Sequence, residues 1–183
     1  ETATSHSITV RADDGNGTTA QTFTIAVTNA VPTAIADTDG ALAAVAEGAG
    51  TGTTVGVTAT ANDPNGGATY ALTEDAGGRF AIDGTTGVVT VADGSLLDFE
   101  TATSHSITVR ADDGNGTTSQ AFTIAVTNVA PRSLVDGDGA ANILVEGAAD
   151  GSAAGVTARA NDPNGGVTYA LSDDAGASFE VTF

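Results

Sequence analysis

The residues able to do chemistry in this chain are carboxylates and side-chain amides, and they sit at recurring places. Glu47 lies in VAEGAG, and Asp63 and Asn65 lie in the turn ANDPNGG. Asp98 and Glu100 lie in LDFE, Asp112 and Asp113 in ADDGNG, and Asn128 in VTNVAP. Two chemistries suit such groups. Oxygen donors gathered in one place hold a hard divalent cation. A lone carboxylate pair such as Asp112 with Asp113 could instead serve glycoside hydrolysis, but that needs a cleft and sugar-binding aromatics, and aromatics make up 4% of the chain. His6 and His105 have no Ser or Cys nucleophile pattern around them, and share parity with the inward-facing Ile8 and Ile107. They read as partly buried residues near a sheet edge. DPNGG and DDGNG echo the opening of an EF-hand loop, yet neither goes on in that loop's pattern.

Composition narrows the partners. Five basic residues, all Arg, face 23 acidic ones, for a formal net charge of −18. Nucleic-acid recognition needs a basic surface, so no nucleic-acid partner is expected, whereas an affinity for divalent cations is. No apolar run approaches the roughly 18 residues of a membrane span, so no membrane insertion is expected. There is no Cys, so neither disulfides nor thiol chemistry are available.

The elements that must position these groups are strands. Ile107, Val109 and Ala111 alternate with polar residues, as do Phe122, Ile124 and Val126. Val55, Val57, Ala59 and Ala61 keep the same rhythm, and Val89 and Val91 fall in VVTV. Period two with β-branched residues marks half-buried strands. DDGNG, DPNGG, DGTTG and ADGS supply turns between them. ALAAVAEGA alone has helical propensity, and the glycines on either side argue against a helix. Tyr70 and Tyr169 read as core residues on strands. About seven short strands fall in each unit, the spacing of an antiparallel two-sheet sandwich.

The chain also repeats itself at a period of 99 residues. Residues 1–33 differ from 100–132 only at positions 20, 22, 30, 31 and 33. NDPNGGATYAL at 62–72 returns as NDPNGGVTYAL at 161–171, and Phe80 meets Phe179. The expected organisation is the tail of one unit (1–31), one complete unit (32–130) and the front half of a third (131–183).

Together, VAEGAG, ATANDPNGG, TYAL, FAIDGTTGVVTV, LDFE, ITVRADDG and the closing VTN-x-x-Pro resemble, in order and spacing, the cadherin-type repeat found in tandem in large bacterial surface proteins. The resemblance covers the whole 99-residue unit and implies an all-β fold of tandem Greek-key, immunoglobulin-like sandwiches. It also implies calcium between successive units. Carried over residue by residue, Glu1 and Asn29 would lead at the first junction, and Asp63, Asn65 and Asp113 would follow. At the second, Glu47, Asp98, Glu100 and Asn128 would lead, and Asp162 and Asn164 would follow. The connectors depart from the family: Thr28 and Thr127 stand where an Asp is expected, and Asn65 and Asn164 replace a second Asp. One ion per junction is then the expectation, with Asp37, Asp39, Asp136 and Asp138 beyond the connectors as replacements.

The function implied is mechanical rather than enzymatic: an extracellular stalk or fibre segment of a repetitive bacterial adhesin-like protein, giving reach and stiffness. Its partners would be adjacent repeats of the same or identical chains, with homophilic or host-surface contacts. Two alternatives stand beside it: a filament subunit completed by strand exchange between chains, and a glycan- or protein-binding module.

Overall fold

The computed structural model describes residues 4–182. All of its regular structure is strand, apart from one 3-10 turn. β1 (Ser5–Asp13) and β2 (Thr18–Ala26) form an antiparallel hairpin. β3 (Thr33–Asp37), β4 (Ala44–Ala46), β5 (Thr54–Asn62), β6 (Thr69–Glu74), β7 (Phe80–Ile82) and β8 (Val88–Val91) follow. After a 3-10 turn at Gly94–Leu96 come β9 (Ser104–Asp112) and β10 (Thr117–Thr127). β11 (Arg132–Asp136) and β12 (Ala158–Asn161) complete the order.

β3 to β10 make two four-stranded sheets, ordered β4-β10-β9-β6 and β3-β5-β8-β7. Because neighbours in space are often distant in sequence, the chain crosses between layers repeatedly, as a Greek key does. The alternation seen in the sequence is the alternation of burial. Ile107, Val109 and Ala111 of β9, with Ile124 and Val126 of β10, face inward. They join Val55, Val57 and Ala59 of β5 and Val89 and Val91 of β8 in one core cluster. ALAAVAEGA is extended: β4 runs parallel beside β10, with Val45 opposite Val126. The count in residues 32–130 is therefore eight strands rather than about seven.

Two side chains bridge the layers. The Tyr70 hydroxyl, on β6, accepts the Ala61 amide of β5 in the opposite sheet at 3.0 Å. Phe80, on β7, packs at a tilt on His105 of β9, ring centres 6.3 Å apart. His105 lies beyond the stretch of β9 that pairs with β6, which ends at Thr108. Desolvation, helped by the Arg79 charge, pulls its pKa down, so the histidine is a neutral core-edge residue. His6, its counterpart, is exposed.

Residues 131–182, which the repeat would assign to a third unit, carry less regular structure. β11 pairs with β12 just as β3 pairs with β5, but the counterparts of β4 and β6 are not strands. The topology explains this. β4 has β10 as its sheet partner and β6 has β9, and residues 131–183 contain no counterpart of either. Tyr169 consequently lies outside any strand, although its hydroxyl still accepts the Ala160 amide at 3.0 Å.

Candidate metal centre

The carboxylates converge where the complete unit meets the third. Glu47 directly follows β4 and is 98% shielded from solvent. Its two oxygens accept the Val129 amide at 2.6 Å and the Phe99 amide at 3.1 Å. Asn164, from the following unit, donates to it at 3.2 Å and also to the Leu97 carbonyl. The donors dictate its titration: the Val129 amide, above all, holds the Glu47 pKa low against the effect of burial, with help from Phe99 and Asn164. Glu47 is therefore an anion held by backbone on one side and facing the junction on the other.

Carboxylate oxygens of Glu47, Glu100 and Asp162 all lie within 4.8 Å of one another. Glu100 comes from the turn before β9, and its Oε1 accepts the Asn128 amide at 3.1 Å. Its own backbone amide favours the charged form, yet desolvation and the charges of Glu47, Asp162 and Asp98 together raise its pKa. Three acidic groups are thus brought together with no cationic partner described among them. Two shallow clefts flank the group. One, about 290 Å3, is lined by Glu47, Val129, Arg132 and Pro163. The other, about 190 Å3, is lined by Glu100, Asn128 and Asp162.

The local sequence explains why the group can assemble. A Cβ at Gly94 would fall 1.7 Å from the Ala49 carbonyl oxygen. Only glycine lets the 3-10 turn press onto the loop that carries Glu47. Gly48, at φ +63°, leaves room for Pro163, whose Cβ would meet a side chain there at 2.6 Å. That contact seats the ANDPNGG-type turn of the third unit on the complete one.

At the first junction the structure brings Asn29, Asn65 and Asp113 together. The Asn29 amide donates to Asp113 at 2.6 Å, and Asn65 donates to the Asn29 side-chain oxygen at 3.1 Å. Asn29, followed by the Asn115 and Gly116 amides, lowers the Asp113 pKa. Asp63 stands in the same turn as Asn65. One of its oxygens accepts the Asn65 amide at 3.0 Å, and the other is enclosed with no hydrogen-bond partner among the described residues. Glu1 lies outside the described residues.

Some expected ligands are occupied locally. Asp98 caps Thr101 through its amide at 2.9 Å and its hydroxyl at 2.8 Å; it reaches the cluster through its charge on Glu100. Asp37 and Asp136 accept the Thr58 and Thr157 amides across their own strand pairs. Asp39 and Asp138 accept amides within their loops. None of these four is among the carboxylates whose oxygens converge at the second junction. The sequence did not single out Leu97, whose carbonyl receives Asn164, or Arg132 on the cleft wall. Arg132 had a signal, being one of five arginines and one of the few positions where the two copies differ.

The repulsion at Glu100 makes a pH prediction whose sign reverses with calcium. A raised pKa in the folded state costs stability above that pKa, where the group is charged, and the cost vanishes as it protonates. In chelator, Glu100→Gln should therefore raise the melting temperature at neutral pH. The gain should fade as pH drops through the carboxylate range. With calcium the same substitution should lower it, because an anionic oxygen donor is lost. Melting curves at several pH values, with calcium and with chelator, test both signs.

Residues 42–128 match the family model described as a cadherin domain. Among solved structures, mouse cadherin-23 EC22-24 is 26% identical with a TM-score of 0.50, over 71% of this chain and 45% of that one. Chicken VE-cadherin EC1-2 is 24% identical over 68% of each chain, TM-score 0.46. Drosophila N-cadherin EC1-3 is 25% identical over 72% of this chain and 46% of that one, TM-score 0.46. The chain thus spans less than half the length of the mouse and Drosophila structures. No curated protein matches it.

Proposed function

We infer, for a chain whose residues 42–128 match the cadherin-domain model, that it is a spacer segment of an extracellular tandem array, stiffened by calcium at its joints. Cadherin domains are extracellular adhesion modules, and no helix among the described residues is long and apolar enough to cross a membrane. The finer reading assigns residues 1–31, 32–130 and 131–183 to three successive units of a bacterial surface stalk. Its work is to set reach and bending stiffness, and no catalytic role is assigned to it.

The observation that carries this reading is the meeting of Glu47, Glu100 and Asp162 from two successive units. An all-oxygen, anionic donor set suits Ca2+, which takes six to eight oxygens in flexible geometry, better than Mg2+, which demands a near-ideal octahedron. The raised pKa of Glu100 is the strain such a cation would relieve. Glu47, Glu100 and Asp162 would hold the ion, with Asn128 and Asn164 beside them. Asn29, Asp63, Asn65 and Asp113 would form the corresponding set at the first junction, while Glu1, assigned to it by the sequence, lies outside the described residues. There the enclosed Asp63 oxygen is the group a cation would satisfy. Cation binding would turn mutual repulsion into attraction across the joint.

Calcium titration of the protein, followed by thermal melting and small-angle scattering, tests the reading. At a free calcium concentration about tenfold above Kd, binding adds about 1.4 kcal/mol. The melting temperature should rise and the particle should become straighter, and chelator should reverse both. Unchanged melting and scattering would remove the metal from the reading and leave the spacer to stand on geometry alone.

A further inference from the structure

His105 faces the inside of the complete unit but has nothing to bond there. It shares strand parity with Ile107 and lies opposite Ile124, both fully buried. Directly opposed residues of an antiparallel pair point to the same face. The His105 Nε2 is enclosed and has no hydrogen-bond partner among the described residues. Across the space between the sheets the ring meets Phe80, itself buried. This contact joins β9 of one layer to β7 of the other.

The surroundings offer no relief to an added proton. β10 and β7 carry no titratable side chain. Glu74 ends β6 opposite Thr108, further along β9, and Arg110 pairs with Asp112 further still. Asp93 and Asp98, on either side of the 3-10 turn, accept Ser95 and Thr101. No carboxylate pairs with His105 among the described residues. Arg79, directly before β7, does act on the ring, and its charge has the same sign. Arg79 also gives the contact its reach. Its Nε donates to the Leu96 carbonyl at 2.8 Å, and its own carbonyl accepts the Ala92 amide at 2.8 Å. These bonds tie the loop before β7 to the 3-10 turn. The next residue, Leu97, accepts the Gly48 amide.

We propose that His105 is an acid-release latch: a proton on the enclosed ring puts an unpaired charge between the sheets, beside Arg79, and frees the Arg79 loop and the 3-10 turn from the edge of the sandwich. An imidazolium enclosed without a counter-ion is costly, and only the closed state bears that cost. The sign follows from the ring's lowered pKa in the closed state. Above the ordinary histidine range the ring is neutral in both states, and stability is full. As pH falls through that range the open form takes up the proton first, and stability is lost toward the lower closed-state value. Glu100 acts in the opposite direction, because protonating it relieves repulsion. The latch needs no cation and does not rest on the calcium reading.

Thermal melting and amide hydrogen exchange of the protein in chelator, from about pH 7.5 down to about pH 5.5, provide the test. The melting temperature should fall by several degrees. Protection of the Ala92 and Gly48 amides, corrected for the intrinsic pH dependence of exchange, should fall with it. In His105→Phe and in His105→Gln most of both changes should disappear. Two variants are used because one keeps a ring against Phe80 and the other keeps a polar group. His6→Gln, at the exposed counterpart on the hairpin, should keep the full pH dependence. Arg79→Gln should make the fall shallower, since it removes the like charge. The same pH dependence in the unaltered protein and in both His105 variants would overturn the proposal. So would a fall in melting temperature with the Ala92 and Gly48 protection unchanged. An NMR titration of the folded protein needs no variant: a His105 ring that titrates in the ordinary histidine range would overturn it as well. Calcium dependence of the melting curve is a separate readout, so failure here leaves the spacer reading untouched.

Discussion

Glu47→Ala is expected to lower the melting temperature by on the order of 10 °C and to remove the calcium response of the second junction. The two losses have one cause. The carboxylate is almost fully enclosed, and it is the acceptor for the amides of Val129 and Phe99. Alanine leaves both amides enclosed without an acceptor, and a buried donor left unpaired costs more than the net worth of the bond it made. Val129 belongs to the connector and Phe99 to the LDFE turn, so both are released from β4 at once. Asn164 loses its Glu47 acceptor as well, which loosens the third unit. Glu47→Gln separates the two roles. It keeps an acceptor oxygen for one amide and removes the charge, so it should recover part of the stability and little of the calcium affinity. Equal loss of stability in both variants would mean that charge, not hydrogen bonding, is what Glu47 contributes. An unchanged calcium response in Glu47→Gln would take Glu47 out of the ligand set.

How much of this was legible in the sequence depends on the range of the interaction. Val55, Val57, Ile107 and Val109 were readable as inward-facing because alternation is a local property of the strand and one face must be buried. Glu47, Glu100 and Asp162 were named as ligands through the family resemblance, which encodes where strand ends gather, and the structure brings those three within reach of each other. Asp98 belongs to the same named set and accepts Thr101 three residues away, but it is not among the three carboxylates whose oxygens converge. A motif places a carboxylate on a loop; it does not fix the distance between carboxylates on different loops. Asp37, Asp39, Asp136 and Asp138 accept amides of their own strand pairs and loops. The short strand in ALAAVAEGA runs against its local propensity. Alanine favours helix, and pairing with β10, about 80 residues later, overrides that preference. The same logic explains the third unit. NDPNGGVTYAL nearly repeats NDPNGGATYAL, yet TYAL is a strand only in the earlier copy, because only that copy has β9 beside it.

Leu97→Ala should cost about 2–5 kcal/mol of stability, the range for emptying a closed core site, and should weaken calcium binding although Leu97 contributes no side-chain ligand. Leu97 is fully buried and follows the 3-10 turn that Gly94 lets close onto the β4 loop. Its side chain anchors, from inside the sandwich, the stretch that carries Asp98, Phe99 and Glu100. On the other side, its backbone carbonyl accepts the Gly48 amide at 3.2 Å and the Asn164 side chain. One residue therefore ties the core to the Glu47 loop, to Glu100 and to the next unit. A cavity under it lets the LDFE turn shift, and the carboxylates it carries shift with it. Val55→Ala gives the comparison. It removes a side chain equally buried from the start of β5, eight residues along the chain from Glu47, the nearest proposed ligand in sequence at the second junction. It should destabilise the unit and leave calcium affinity nearly unchanged. Calorimetric calcium titrations of the two variants, below their melting temperatures, measure the difference. Equal affinities would show that the core does not set the junction, and that the carboxylates find their places through the cation alone.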